Sequence, residues 1–218
     1  MTTQTKQVQR EFVIPSGPRR LNGILHVPSG AKGVVAFAHG SGSGRFSPRN
    51  QFVARTLEEG GLATLLLDLL EKEEAEDRAK VFDVELLAER LQSAADWLRR
   101  EPETMNLRLG YFGASTGAGA ALVAAARAPE AVRAVVSRGG RPDLAYNYLS
   151  AVQAPTLLIV GGHDDAVIEL NEQALGQLHC HKELIIIPRA THLFEESGTL
   201  EEVARLANDW FIRWLIPE

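Results

Sequence analysis

Ser115, the adjacent acids Asp164 and Asp165, and His192 occur in the order in which a nucleophile, an orienting carboxylate and a general base would be needed. Ser115 sits in "YFGASTGAGAALVAAA", where Gly113, Ser115 and Gly117 make a G-x-S-x-G pattern. A serine hydroxyl is a weak nucleophile until an imidazole takes its proton, and that imidazole must be held in one tautomer by a carboxylate. "LLIVGGHDDAV" brings the two acids and "LIIIPRATHLF" brings His192. Taken alone, Ser115 reads equally well as a helix N-cap among small residues. The partners that follow it in order favour the nucleophile.

Such groups act only if the fold delivers them to one place. Apolar, β-branched runs recur at "REFVI", "LNGILHV", "GVVAFAH", "LATLLLDL", "LRLGYFG", "VRAVVSR", "PTLLIVGG" and "ELIIIP". From the third onward they alternate with helical patterns, which predicts an α/β fold with a mostly parallel eight-stranded sheet and helices on both faces. The first two runs, joined through "PSGPRR", leave no room for a helix and predict an antiparallel hairpin at the sheet edge. Ser47 followed by Pro48 predicts a helix start, Val84 to Leu98 carries one apolar helical stripe, and Thr199 with Glu202 has capping-box spacing. Residues 1–218 read as one domain without repeats or linkers.

On this frame Ser115 falls between a strand and a helix, and the acids and His192 fall just after two later strands. These are the carboxyl ends, where open α/β sheets build their sites. In a tight strand-to-helix turn, side chains two positions either side of the serine would clash, which accounts for Gly113 and Gly117. After the third strand, "AFAHGSGSGR" places His39 and Gly40 before Ser41. The backbone N–H groups of Ser41 and Thr116 are the expected oxyanion-hole donors.

These motifs resemble the α/β-hydrolase superfamily, and more closely its small dienelactone-hydrolase-like members, over nearly the whole chain from "GVVAFAHGSGSG" to "RATHLF". The resemblance implies Ser115 as nucleophile and Asp164 with His192 as its triad partners. Gly161, Asp164 and Val167 match the G-x-x-D-x-x-V of the family's acid loop, which selects Asp164 over Asp165. Dienelactone hydrolases proper carry cysteine at the elbow, and this chain carries serine, which points away from dienelactone as substrate. The implied activity is hydrolysis of a small ester, thioester or lactone through an acyl-enzyme, with no metal or organic cofactor. An acyltransferase using the same triad and a non-catalytic binding protein on the same fold are the alternatives.

Other features carry weaker chemistry. Only "RGGRPDLAYNYLSAVQA" separates the sixth and seventh strands, too little for a cap domain, so an open mouth is expected. Arg138 and Arg141 begin that connection and Arg45 follows the oxyanion loop, so the three could clamp a substrate carboxylate or phosphate, or simply pair with surface acids. "GSGSG" lacks the further glycine or the Gly-Lys-Ser/Thr of a nucleotide-binding loop. "HCHK" at 179–182 reads as a strand entry rather than a metal site, His163 as a solvent-facing loop residue, and the acidic run 71–78 as a solvated helix start.

A net charge of -5 with no long basic run argues against nucleic acid. The single Cys180 cannot form an internal disulfide, and no apolar stretch approaches the ~20 residues of a membrane span. The start "MTTQTKQVQREF" lacks the apolar core of a signal peptide. A cytoplasmic location, a small-molecule substrate and no membrane partner are the expectations, and oligomeric state is unspecified.

Overall fold

The computed structural model of the protein describes residues 8–217. It contains eight strands: β1 (Val8–Ser16), β2 (Arg19–Val27), β3 (Gly33–Ala38), β4 (Ala63–Leu67), β5 (Arg108–Ala114), β6 (Val132–Arg138), β7 (Thr156–Gly161) and β8 (Lys182–Ile187). They form one sheet in the order β1-β2-β4-β3-β5-β6-β7-β8. From β4 through β8 every neighbouring pair is parallel, whereas β1 and β2 pair antiparallel with each other and β2 pairs antiparallel with β4. The expected edge hairpin is therefore present.

The continuous apolar runs make sense once both faces are covered. In β3, Val34, Ala36 and Ala38 pack into one core and Val35 and Phe37 into the other, the two-residue alternation of a strand applied to two apolar faces. The first face carries α4 (Val84–Leu98), α5 (Thr116–Arg127) and α6 (Asp165–Gln177), and the second carries α1 (Pro48–Glu59) and α7 (Thr199–Leu215). α5 is composed of glycine, alanine and other mostly small residues and is buried from Thr116 through Ala125, because it lies against β5, α4 and the 3-10 segment Pro142–Ala151. That segment is the only regular element between β6 and β7, and no cap domain occurs among the described residues.

Helix punctuation follows the residue types with one exception. Ser47 caps α1 by accepting the Asn50 N–H, Pro48 opens the helix, and Gly60 ends it. On α4, Val84, Leu87, Ala88, Leu91, Ala95 and Leu98 are all buried, as their spacing predicts. The exception is α7: Gly198, in the left-handed region at φ 83°, is its cap, and Thr199 is already helical. The Thr199 hydroxyl donates to the Glu196 carbonyl and the Glu202 carboxylate turns to Arg205, so the expected capping box does not form.

The acidic run is the mostly exposed helix start expected, except at Glu74. It folds into two short turns, α2 (Lys72–Ala75) and α3 (Arg78–Val81). Glu74 is buried and takes a hydrogen bond from the buried Arg90, with Arg19 and Lys80 nearby. A buried carboxylate tolerates desolvation only with such partners, and the pairing pins the segment over the carboxyl end of the sheet.

Candidate active site

Ser115 follows β5 directly and has φ 51° and ψ −122°, a backbone region rarely occupied by side chains other than glycine. Such a conformation costs about 1–3 kcal/mol and persists only when its surroundings enforce it. Three backbone hydrogen bonds on Ser115 do so here, with a fourth steadying the neighbouring strand end. The Ser115 N–H donates to the Arg138 carbonyl, the Ser115 carbonyl accepts the N–H groups of Ala118 and Arg141, and Gly139 N–H ties the end of β6 to Ile159. The flanking glycines are required sterically: a Cβ on Gly113 would lie 2.8 Å from Ala118 N, and one on Gly117 2.5 Å from the His39 carbonyl oxygen. The turn therefore lifts the Ser115 side chain out of the sheet end at the start of α5.

The two downstream groups reach the same region from β7 and β8. His192 Nδ1 is 2.6 Å from Asp164 Oδ2, and Gly139 packs beneath the ring, its Cβ position 3.5 Å from Cε1 and Nδ1. With Nδ1–H donating to the carboxylate, Nε2 is left with its lone pair, the tautomer a base needs. Asp165 is exposed as the first residue of α6, and Asp164, at the cap position, makes no cap hydrogen bond with its side chain. Ser115 and His192 line one cavity of about 270 Å³ together with Gly40, Ser41 and Ser43.

The loop after β3 owes its shape to His39. His39 is buried, donates from Nδ1 to the Gly40 carbonyl at 2.9 Å, and accepts the Leu69 N–H on Nε2 at 2.9 Å. Accepting on Nε2 requires the neutral ring, and burial lowers its pKa below the ordinary 6.5. Gly40 passes close to the serine, its Cβ position 3.0 Å from both the Ala114 carbonyl oxygen and Ser115 Cβ. The amides of Ser41 and Thr116 donate to no other described backbone group. Both residues line a second cavity of about 290 Å³, walled by Leu70, Ala75, Val81 and Leu87. Its apolar wall comes largely from the segment that Glu74 anchors, which the acidic character of that run conceals in the sequence.

The three arginines singled out in the sequence do not converge. Arg45 is held by Asp68, which accepts its backbone N–H at 2.7 Å and pairs with its guanidinium, and it stacks over Phe46. Arg141 makes a two-point pair with Asp143 at 2.7 and 2.8 Å. Arg138 lines the Ser115 cavity, and beside it stands Arg49 from the first turn of α1, which sequence reading passes over. The signal for Arg49 was the Ser47-Pro48 helix start, which directs that turn toward the loop after β3.

His163 is exposed, His181 packs against Trp210 and Trp214, and among the described residues no cluster of metal-ligating side chains occurs. Among them, too, no helix is long and apolar enough to cross a membrane.

Known proteins share this fold. A solved dienelactone hydrolase from Anabaena variabilis is 58% identical, with a TM-score of 0.93 over 96% of this chain and 99% of that one. An α/β serine hydrolase without a lid from Xanthomonas campestris has the same fold, with a TM-score of 0.78 at 20% identity over 96% of each chain. Two Mycobacterium tuberculosis proteins that bear a provisional phosphoribosyl transferase name are 58% identical over 202 residues, 93% of this chain and 46% of theirs. The chain thus spans about half the length of those curated relatives. Residues 21–215, from β2 to the end of α7, match the dienelactone hydrolase family model, and with the Anabaena relative this places the chain in that family.

Proposed function

We propose that the protein is a serine hydrolase that cleaves a small ester, thioester or lactone through an acyl-enzyme on Ser115. The observation that carries this reading is the strained Ser115 turn opening onto a cavity shared with His192, whose Nδ1 is held by Asp164. His192 Nε2 removes the hydroxyl proton as Ser115 Oγ attacks the carbonyl carbon. The oxyanion that forms is met by the Ser41 and Thr116 amides and by the positive end of α5. Collapse expels the alkoxide or thiolate with the proton from His192, and water, activated by the same ring, releases the acid. The apolar cavity beside the oxyanion loop suits the hydrocarbon part of the acyl group.

The test is hydrolysis of p-nitrophenyl esters, lactones and acyl thioesters by the parent and by Ser115→Ala and His192→Ala. Each variant is expected to lower kcat by about 10⁴ to 10⁶, because the members act as a unit. Retention of more than about a tenth of the activity by either would refute the assignment.

A further inference from the structure

Arg138 is 8% exposed, yet its Nε and Nη1 have no hydrogen-bond partner among the described residues. A buried guanidinium without an acceptor is costly, and chains retain one where something else supplies the acceptor. Arg138 lines the cavity that holds Ser115 and His192. Arg49 lines it as well, and its charge, second to burial, lowers the Arg138 pKa to about 10. Arg49 is only loosely engaged: its Nη1 is 3.4 Å from Glu195, which is 64% exposed, and its buried Nε is unpartnered.

The rest of the wall has the same sign. Ser47 and Arg49 lie at the N-terminus of the twelve-residue α1, whose dipole adds positive potential, and Ser47, which accepts the Asn50 N–H, still has its O–H to donate. Asp164 is spent on His192 and Asp68 on Arg45, and only the exposed Glu195, 3.4 Å from Arg49, faces the pair. Solvent screens that contact, so a single negative charge would leave the two crowded guanidiniums poorly balanced. A tetrahedral dianion balances both and has oxygens enough for the hydroxyls.

We propose that the ester taken by this site carries a phosphate group on its non-reacting part, held between Arg138 and Arg49 at the N-terminus of α1. This rests on the serine-hydrolase reading for the ester, whereas the phosphate subsite stands on its own geometry. The experiment keeps the two apart by measuring binding rather than turnover. Phenyl phosphate, phenyl sulfate of the same shape with one charge fewer, and benzoate are titrated calorimetrically into the parent and into Ser115→Ala, Arg49→Gln, Arg138→Gln and Arg141→Gln.

Phenyl phosphate is expected to bind the parent, Ser115→Ala and Arg141→Gln alike, and at least about tenfold more tightly than the other two probes. Arg49→Gln and Arg138→Gln should each weaken it by about tenfold or more, the range for a hydrogen bond to a charged group. Arg49 is on the helix surface, so its variant gives the answer even if Arg138→Gln does not fold. Equal affinity for phenyl sulfate or benzoate overturns the dianion. Unchanged binding by Arg49→Gln overturns the clamp, as does an absence of saturable binding to the parent. Intact phosphate binding with no hydrolysis of a phosphate-bearing ester and no fluorophosphonate adduct on Ser115 would refute the hydrolase reading and leave the subsite standing.

Discussion

Replacing Arg138 with methionine should stabilise the protein, although it removes a residue from the candidate site. Burial, with a smaller contribution from Arg49, moves the guanidinium pKa well below its ordinary value, to about 10. At 1.36 kcal/mol per pH unit this corresponds to a penalty of about 3 kcal/mol for keeping the charge in the folded chain. Because the folded state holds this proton less tightly than the unfolded chain, the penalty is present in full below about pH 10 and is relieved only as pH rises from there. Methionine keeps the length of the side chain without the charge, at some packing cost, so a net gain of about 1–3 kcal/mol is expected. For a chain of this size that raises Tm by roughly 3–10 °C. Scanning fluorimetry at pH 7 in low-salt, phosphate-free buffer is the assay, since a bound anion would mask the penalty. An Arg138→Met variant that melts below the parent would show that the guanidinium is satisfied in the folded chain, and the reasoning would be wrong.

Acid should weaken the fold through His39: its folded pKa lies below 6.5, so the unfolded chain binds the proton first and stability falls as pH drops below about 6.5. Denaturant midpoints of the parent should show this, and His39→Phe should flatten that part of the profile while costing about 1–3 kcal/mol from the orphaned Leu69 N–H. Between the adjacent acids, Asp164→Asn should be far more damaging to kcat than Asp165→Asn, since only Asp164 touches His192; the reverse order would reject the orienting role. For the oxyanion loop, Ser41→Ala should cost less than about tenfold in kcat, whereas a folded Ser41→Pro, lacking the N–H, should lose about 10² to 10³. Near-native rates for both would remove Ser41 from the hole.

The eight strands are legible because a strand buried on both faces needs a run such as "GVVAFA" that few other structures tolerate, and α4 because its stripe repeats at helical spacing. The elbow is legible for a steric reason, as nothing larger than glycine fits beside Ala118 or the His39 carbonyl. What resists reading is decided by the partner each side chain finds, whether near or far along the chain. "EKEEAEDR" is mostly solvated, as it looks, but Glu74 is buried against Arg90 and Arg19, from α4 and β2, and Ala75 lines a cavity. Thr199 and Glu202 have capping-box spacing, but Gly198 takes the cap and each side chain finds another partner. The arginines illustrate the same limit: Arg45, Arg138 and Arg141 look equivalent by position, and Asp68, 23 residues beyond Arg45, and Asp143 remove two of them.

Under the proposed mechanism, Ser115 Oγ is the acyl acceptor. Intact-mass and peptide spectra of the parent after a fluorophosphonate ester, and of His192→Ala after brief exposure to p-nitrophenyl acetate, test it most directly. The account predicts a single adduct on the Ser115 peptide from the phosphonate, none in Ser115→Ala, and an acetyl group that forms only slowly on Ser115 without the His192 base. An adduct on any other residue, or full labelling of Ser115→Ala, would contradict it.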